Sequence, residues 1–188
     1  MTTRRALCAL LLAAPAVARA QPSDATLREA IRRVTAQHII PGFDAFAAAA
    51  QGFAGATATP IPPEPARAAW VATALAFQRI RHLRFGPLDD FDRGLRIFFF
   101  PDTRNSIGRE MGGLLRAANP DQITPEAFQR GRVAAQGLPA AERLLFGEEA
   151  PRLAAPDQPF RRVLLAAIGV NLATMGSAMR TEWQSYGP

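Results

Sequence analysis

Residues 160–183, FRRVLLAAIGVNLATMGSAMRTEW, place Leu164, Ile168, Leu172, Met175, Met179 and Trp183 at successive intervals of three and four. Side chains at that spacing line one face of an α-helix, so the stretch predicts a long helix with a single buried stripe. Such a helix must hide its stripe against other helices or against a sheet. The rest of the chain offers no sheet. Leu95–Phe100 is the one run with strand-like aromatic content. A lone strand would leave its backbone unpaired, so this run is read as helix or as an extended core segment ending at Pro101. The predicted fold class is all-α, an antiparallel bundle of about five helices.

Working outward, Leu27, Ile31, Val34 and His38, then Ile39, Phe43, Phe46, Ala50 and Phe53, predict a first helix with one buried stripe, kinked at Pro41. Its alanine run Ala47–Ala50 suits close packing, and Gly52 and Gly55 mark where it should fray. Thr57 to Pro65, with four prolines, reads as a linker. A second helix runs from about Glu64 to Arg84, with Trp70, Ala74, Phe77, Ile80 and Arg84 along one face, until Gly86-Pro87 stops it. Ser106–Ala118 is a third helix. Thr124-Pro125 supplies an N-cap and a first-turn proline for a fourth, which must kink or break at Gly137 and Pro139 before Ala140–Phe146.

The N-terminus carries an address. Met1–Arg5 is short and basic, Ala6–Ala18 is apolar, and Ala18-Arg19-Ala20 is a small-x-small cleavage site before Gln21. The apolar run is too short to span a bilayer, for which about 20 residues are needed, and Pro15 and Arg19 interrupt it. Residues 1–20 are therefore expected to be a cleaved signal peptide, residues 21–188 one periplasmic helical domain, and the protein not an integral membrane protein. Thr3-Arg4-Arg5-Ala6-Leu7 is similar to a twin-arginine signal, and both the Sec and the Tat route stay open. Cys8, the one cysteine, leaves with the signal, which excludes a disulfide framework and a thiol nucleophile. Of 22 basic and 16 acidic residues, Arg4, Arg5 and Arg19 also leave, giving 19 against 16 and a net charge of +3. That is too small to suggest a nucleic-acid partner.

Side chains capable of chemistry are sparse. The two histidines, His38 and His82, stand 44 positions apart, and no HExxH, GxSxG or phosphate-binding glycine motif occurs. His38 falls on the apolar stripe, where a packing role competes with metal ligation. Arg79, Arg81, His82 and Arg84, with Arg93 and Arg96 beyond the turn, form the densest basic cluster. Arg79, Arg81 and Arg84 could hold a carboxylate or phosphate in forked hydrogen bonds, or could pair with Asp89, Asp90 and Asp92 as a surface network.

Four blocks carry a family resemblance: Ala66-Arg67-Ala68-Ala69-Trp70, Leu83-Arg84-Phe85-Gly86-Pro87-Leu88, Arg96-Ile97-Phe98-Phe99-Phe100-Pro101-Asp102, and Gln136 to Phe146. In order and in kind they resemble the imelysin-like family, and with His38-Ile39-Ile40-Pro41 and the last helix the likeness runs from about Leu27 to Tyr186. The resemblance implies an all-helical, exported envelope protein linked to uptake of iron or another divalent metal, with some members described as M75 metallopeptidases. The family's motif Gly-x-His-x-x-Glu falls on Gly137, Pro139 and Glu142, so proline replaces the histidine and Glu142 is left as the motif's one candidate metal ligand, beside His38 elsewhere. The chain resembles the first of two halves in longer members, and a partner is expected to be an envelope protein or a second copy of itself. These readings favour a non-catalytic binding module, with a metallopeptidase and a structural helical adaptor as the alternatives.

Overall fold

The computed structural model describes residues 22–186, so the expected signal segment 1–20 lies outside the described residues. The helices are α1 (Asp24–Val34), α2 (Ile40–Ala58), α3 (Glu64–Ile80), α4 (Arg93–Ile97), α5 (Ser106–Ala117), α6 (Pro125–Arg130), α7 (Leu138–Leu145) and α8 (Pro159–Ser185), joined by short 3₁₀ turns. No strand occurs among the described residues. The fold is all-helical, as the spacing predicted.

Its axis is the pair α2 and α8. Small residues let the two backbones approach: a Cβ on Gly169 would meet Ala54 Cα at 3.1 Å and Thr57 Oγ1 at 2.3 Å, and one on Gly176 would meet Ala47 Cα at 3.1 Å. Phe43 meets Trp183 at the other end, ring centroids 5.6 Å apart. The pairing of 57 with 169, 47 with 176 and 43 with 183 makes the helices antiparallel. Phe43, Phe46, Phe53, Leu164, Leu165, Ile168 and Leu172 are essentially fully buried in this layer. Each contributes about 1.5–3 kcal/mol by leaving water, which makes the layer the dominant source of stability. α3 lies antiparallel on the other side of α2, with Thr73 Oγ1 donating to Ala49 O at 3.0 Å and Ile80 against Gly42.

By length and composition α8 could also cross a membrane, but its apolar face, from Leu164 to Trp183, forms the protein core.

Three expectations need correction, besides the second helix, which stops at Ile80 and does not reach Arg84. The stripe Leu27, Ile31 and Val34 is exposed, not buried, and so is His38. Pro41 is preceded by a π-helical turn over Thr35–Ile39, in which Ile40 N–H donates to Thr35 O. Pro41 has no N–H to give to Gln37, and the widened turn absorbs one extra residue. That extra residue is why the apolar pattern slips by one position between His38 and Ile39. The stripe of α1 nevertheless stays exposed among the described residues, with Ile31 beside a hollow that it shares with Phe85, Trp183 and Tyr186. Secondly, α2 does not fray at Gly52 or Gly55 but continues to Ala58. Thirdly, the fourth helix breaks earlier than Gly137: α6 ends at Arg130, Gly131 is extended, and Arg132 is left-handed at φ 52°.

Candidate functional site

Three of the four sequence blocks, Ala66–Trp70, Arg96–Asp102 and Gln136–Phe146, meet in space around α7, while Leu83–Leu88 packs at the end of α8 with Gly86 against Trp183. Arg67 and Trp70, one turn apart on α3, hold the two ends of α7: Trp70 Nε1 donates to Leu138 O and Arg67 Nε to Leu145 O, both at 2.9 Å. Trp70 also packs edge-on against Phe146, centroids 5.4 Å apart. Gly137, just before α7, lies on the carbonyls of Arg96 and Ile97, where a Cβ would come within 2.2 and 2.5 Å of the oxygens. Glycine is required there by contact and not by dihedral, since its φ of −121° suits any residue. Asp102 completes the frame by accepting from the N–H of Ser106 and of Ile107, at 2.6 and 3.1 Å, at the start of α5.

Beside this frame opens a cleft of about 380 Å³ between α8 and the 91–96 segment, lined by Phe91, Arg93, Arg96, Gln136, Asn171, Thr174, Met175 and Ala178. A buried amide pair forms its base. Gln136 Nε2 donates to Phe128 O at 2.9 Å and to Gly131 O at 3.1 Å, satisfying carbonyls released by the helix break. Asn171 Nδ2 on α8 donates to Gln136 O and Oε1 at 3.1 and 3.3 Å. Asn171 Oδ1 accepts no protein hydrogen bond among the described residues and remains available to a ligand.

The wall is basic and partly strained. Arg93, 9% exposed, forks onto Glu182 at 2.6 and 2.7 Å and donates to Pro87 O at 2.9 Å. Arg96 Nε donates to Phe91 O at 2.9 Å and its NH1 to Phe128 O at 3.2 Å, tying the lip of the cleft to α6. Phe91 and Asp92 both have positive φ, 57° and 56°, a conformation costing a bulky residue about 1–3 kcal/mol. Phe91, 77% exposed, stands at that lip with its ring 5.1 Å from the Arg93 guanidinium carbon. Arg93 is already forked onto Glu182, so the wall offers an anion positive charge more than free donors, while the Asn171 acceptor calls for a donor. A ligand carrying both anionic groups and a hydroxyl or N–H, such as a chelated metal, fits this set better than a bare cation.

The residues singled out from the sequence are not brought together into one site. Glu142 is exposed on α7 and outside the cleft lining, and Pro139 is half-buried in the first turn of that helix. A proline ring offers a metal no lone pair, and among the described residues no three His, Cys, Asp or Glu side chains converge. The motif segment therefore does not fit the metal its family pattern implies. Arg81 and Arg84 share a groove of about 230 Å³ with Asp89 and Asp92, while Arg79 is exposed outside its lining. No ion pair within 4 Å joins these arginines to the aspartates among the described residues; Arg81 bonds Gln78 and lies over the Phe98 ring. His38 meets His82 across the bundle end, Nε2 to Nε2 at 3.4 Å. Of the cleft residues, Phe91 was not singled out in the sequence, and Gln136 and Asn171 figured only within the family-like stretches and not as site residues. Asn171 carried a signal, as a lone amide inside the longest apolar run, where such a side chain needs a specific partner.

A family model described as Peptidase M75, Imelysin, matches residues 39–187. The chain belongs to the imelysin family. No curated protein and no solved structure matches it. The imelysin match begins at Ile39, where the π-turn ends and the buried stripe starts, and it takes in every block that frames α7.

Proposed function

We propose that this imelysin-family protein is an exported, non-catalytic binding module that serves uptake of iron or another metal and holds its ligand in the cleft beside α7. One observation carries the proposal: the frame that positions the motif segment ends in a basic, amide-floored cleft, while the motif itself offers only Pro139 and an exposed Glu142. A peptidase of this family needs a metal-bound water and a general base within hydrogen-bond reach, and these residues supply neither in one place. Export is supported by the basic start, apolar run and cleavage site of residues 1–20 and by family membership. The composition of the cleft favours a metal carried inside an anionic chelate.

Thermal shift of the purified chain tests this against ferric citrate, haem and the simple ferric, ferrous, zinc and copper salts. Stabilisation by ferric citrate or by haem, an iron centre in an anionic ring, is expected. No shift with any of these would refute the metal-linked reading.

A further inference from the structure

The chain's two histidines meet at one point of its surface. His38 Nε2 lies 3.4 Å from His82 Nε2, with ring centroids 5.5 Å apart and ring planes inclined at 39°, and both side chains are exposed. We infer that His38 and His82 form a two-imidazole site for a late first-row divalent ion, copper, nickel or zinc.

The sequence builds this meeting in three steps. Gly42 leaves room for Ile80, whose Cγ2 would be only 2.8 Å from a Cβ at position 42, so the start of α2 rests on the end of α3. His38 lies four residues before Gly42 and His82 two residues after Ile80, which sets both at that crossing. The π-helical turn Thr35–Ile39, which precedes Pro41, contains His38, whose side chain is exposed. Such turns are frequent at functional sites.

Distance separates a metal pair from a simple hydrogen bond. Hydrogen bonds donated by N–H cluster near about 2.9–3.0 Å, so 3.4 Å is long for one imidazole donating to the other. A tetrahedral ion about 2.0–2.1 Å from each ring nitrogen holds the two nitrogens about 3.4 Å apart. Neutral imidazoles suit copper, nickel and zinc. The exposed Arg79, Arg81 and Arg84 that flank His82 in sequence oppose every divalent cation alike, so the selection against magnesium and calcium comes from the ligands, because these hard ions gain little from nitrogen. With two protein ligands, the remaining coordination positions are left for water or for a chelator arriving with the ion. That is the arrangement of a loading or transfer point, separate from the cleft and independent of it.

Isothermal titration of untagged chain with nickel, zinc and copper chlorides tests the site. One ion per chain is expected, with His38→Ala and His82→Ala each weakening binding about tenfold or more, because each removes half of the protein's ligands. The double variant should lose one-ion binding altogether, since no protein ligand for the ion is left. Melting temperatures should stay at the parent value, since both rings are exposed. Absence of binding, or a single variant that keeps parent affinity, would overturn the site. Neither result bears on the cleft, whose lining contains no histidine.

Discussion

Gly137→Ala and Gly52→Ala are chemically identical changes with opposite expected outcomes. At Gly137 the added Cβ would lie 2.2 Å from Arg96 O, 2.5 Å from Ile97 O and 2.8 Å from Ile97 C, all backbone atoms, where ordinary contact begins at 3.4 Å. Relief requires α4 or the start of α7 to move by about 1 Å, a displacement at the upper end of overpacking costs, about 3 kcal/mol. At about 2–4 °C per kcal/mol for a domain of this size, the melting temperature should fall by about 6–12 °C. At Gly52, inside α2, the Cβ meets nothing within 4 Å. There alanine removes only the conformational cost of glycine and should stabilise by about 0.5–1 kcal/mol, or about 1–4 °C. Circular dichroism melts at 222 nm on both variants decide the matter. A Gly137→Ala protein melting within about 1 °C of the parent would refute the claim that this glycine is held by contact with the α4 backbone.

Glu182→Gln should destabilise by about 1–3 kcal/mol in chemical denaturation, below the full cost for a buried pair because Glu182 is 37% exposed while Arg93 is left nearly buried. Asn171→Leu should cost about 1–3 kcal/mol by the same assay, since Gln136 then loses a buried donor. Glu149 is held below the usual carboxylate range, first by the hydrogen bond from Arg161 at 2.6 Å and then by the Arg161 charge, with burial opposing and the Arg152 charge adding a lesser pull. A depressed folded-state value means that this contribution is complete above the ordinary carboxylate range and is lost as pH falls through the lower folded value, so Glu149→Gln should narrow the stability difference between pH 7 and pH 3. Peptide hydrolysis by the purified chain should stay at background with any added divalent metal. Chelator-sensitive cleavage abolished by Glu142→Gln would restore the metallopeptidase.

Helix type and central packing were legible because the relevant side chains repeat with the helical period. Leu164 to Trp183 and Phe43 to Phe53 are buried as spaced. The Thr124 cap was readable too, its Oγ1 accepting from Ala127 N–H at 3.2 Å. What periodicity cannot tell is whether anything lies opposite a stripe. Leu27, Ile31 and Val34 keep the pattern in phase through the π-turn and are still exposed among the described residues. The cleft depends on contacts across long separations, Asn171 to Gln136 and Arg96 to Phe128, which no local pattern announces. The pairing of His38 with His82 depends on Gly42 resting on Ile80, a consequence of tertiary packing that spacing alone could not supply.

The central claim is that ligand binds between α8 and the Phe91 lip. Thr174 is exposed and lines that cleft, so Thr174→Trp fills it without entering the core. Titrating the parent and Thr174→Trp with ferric citrate, followed by intrinsic fluorescence and corrected for the added tryptophan, measures the claim directly. Saturable binding by the parent that is lost in Thr174→Trp, with unchanged melting, is the predicted result. Equal binding by the two proteins would contradict it.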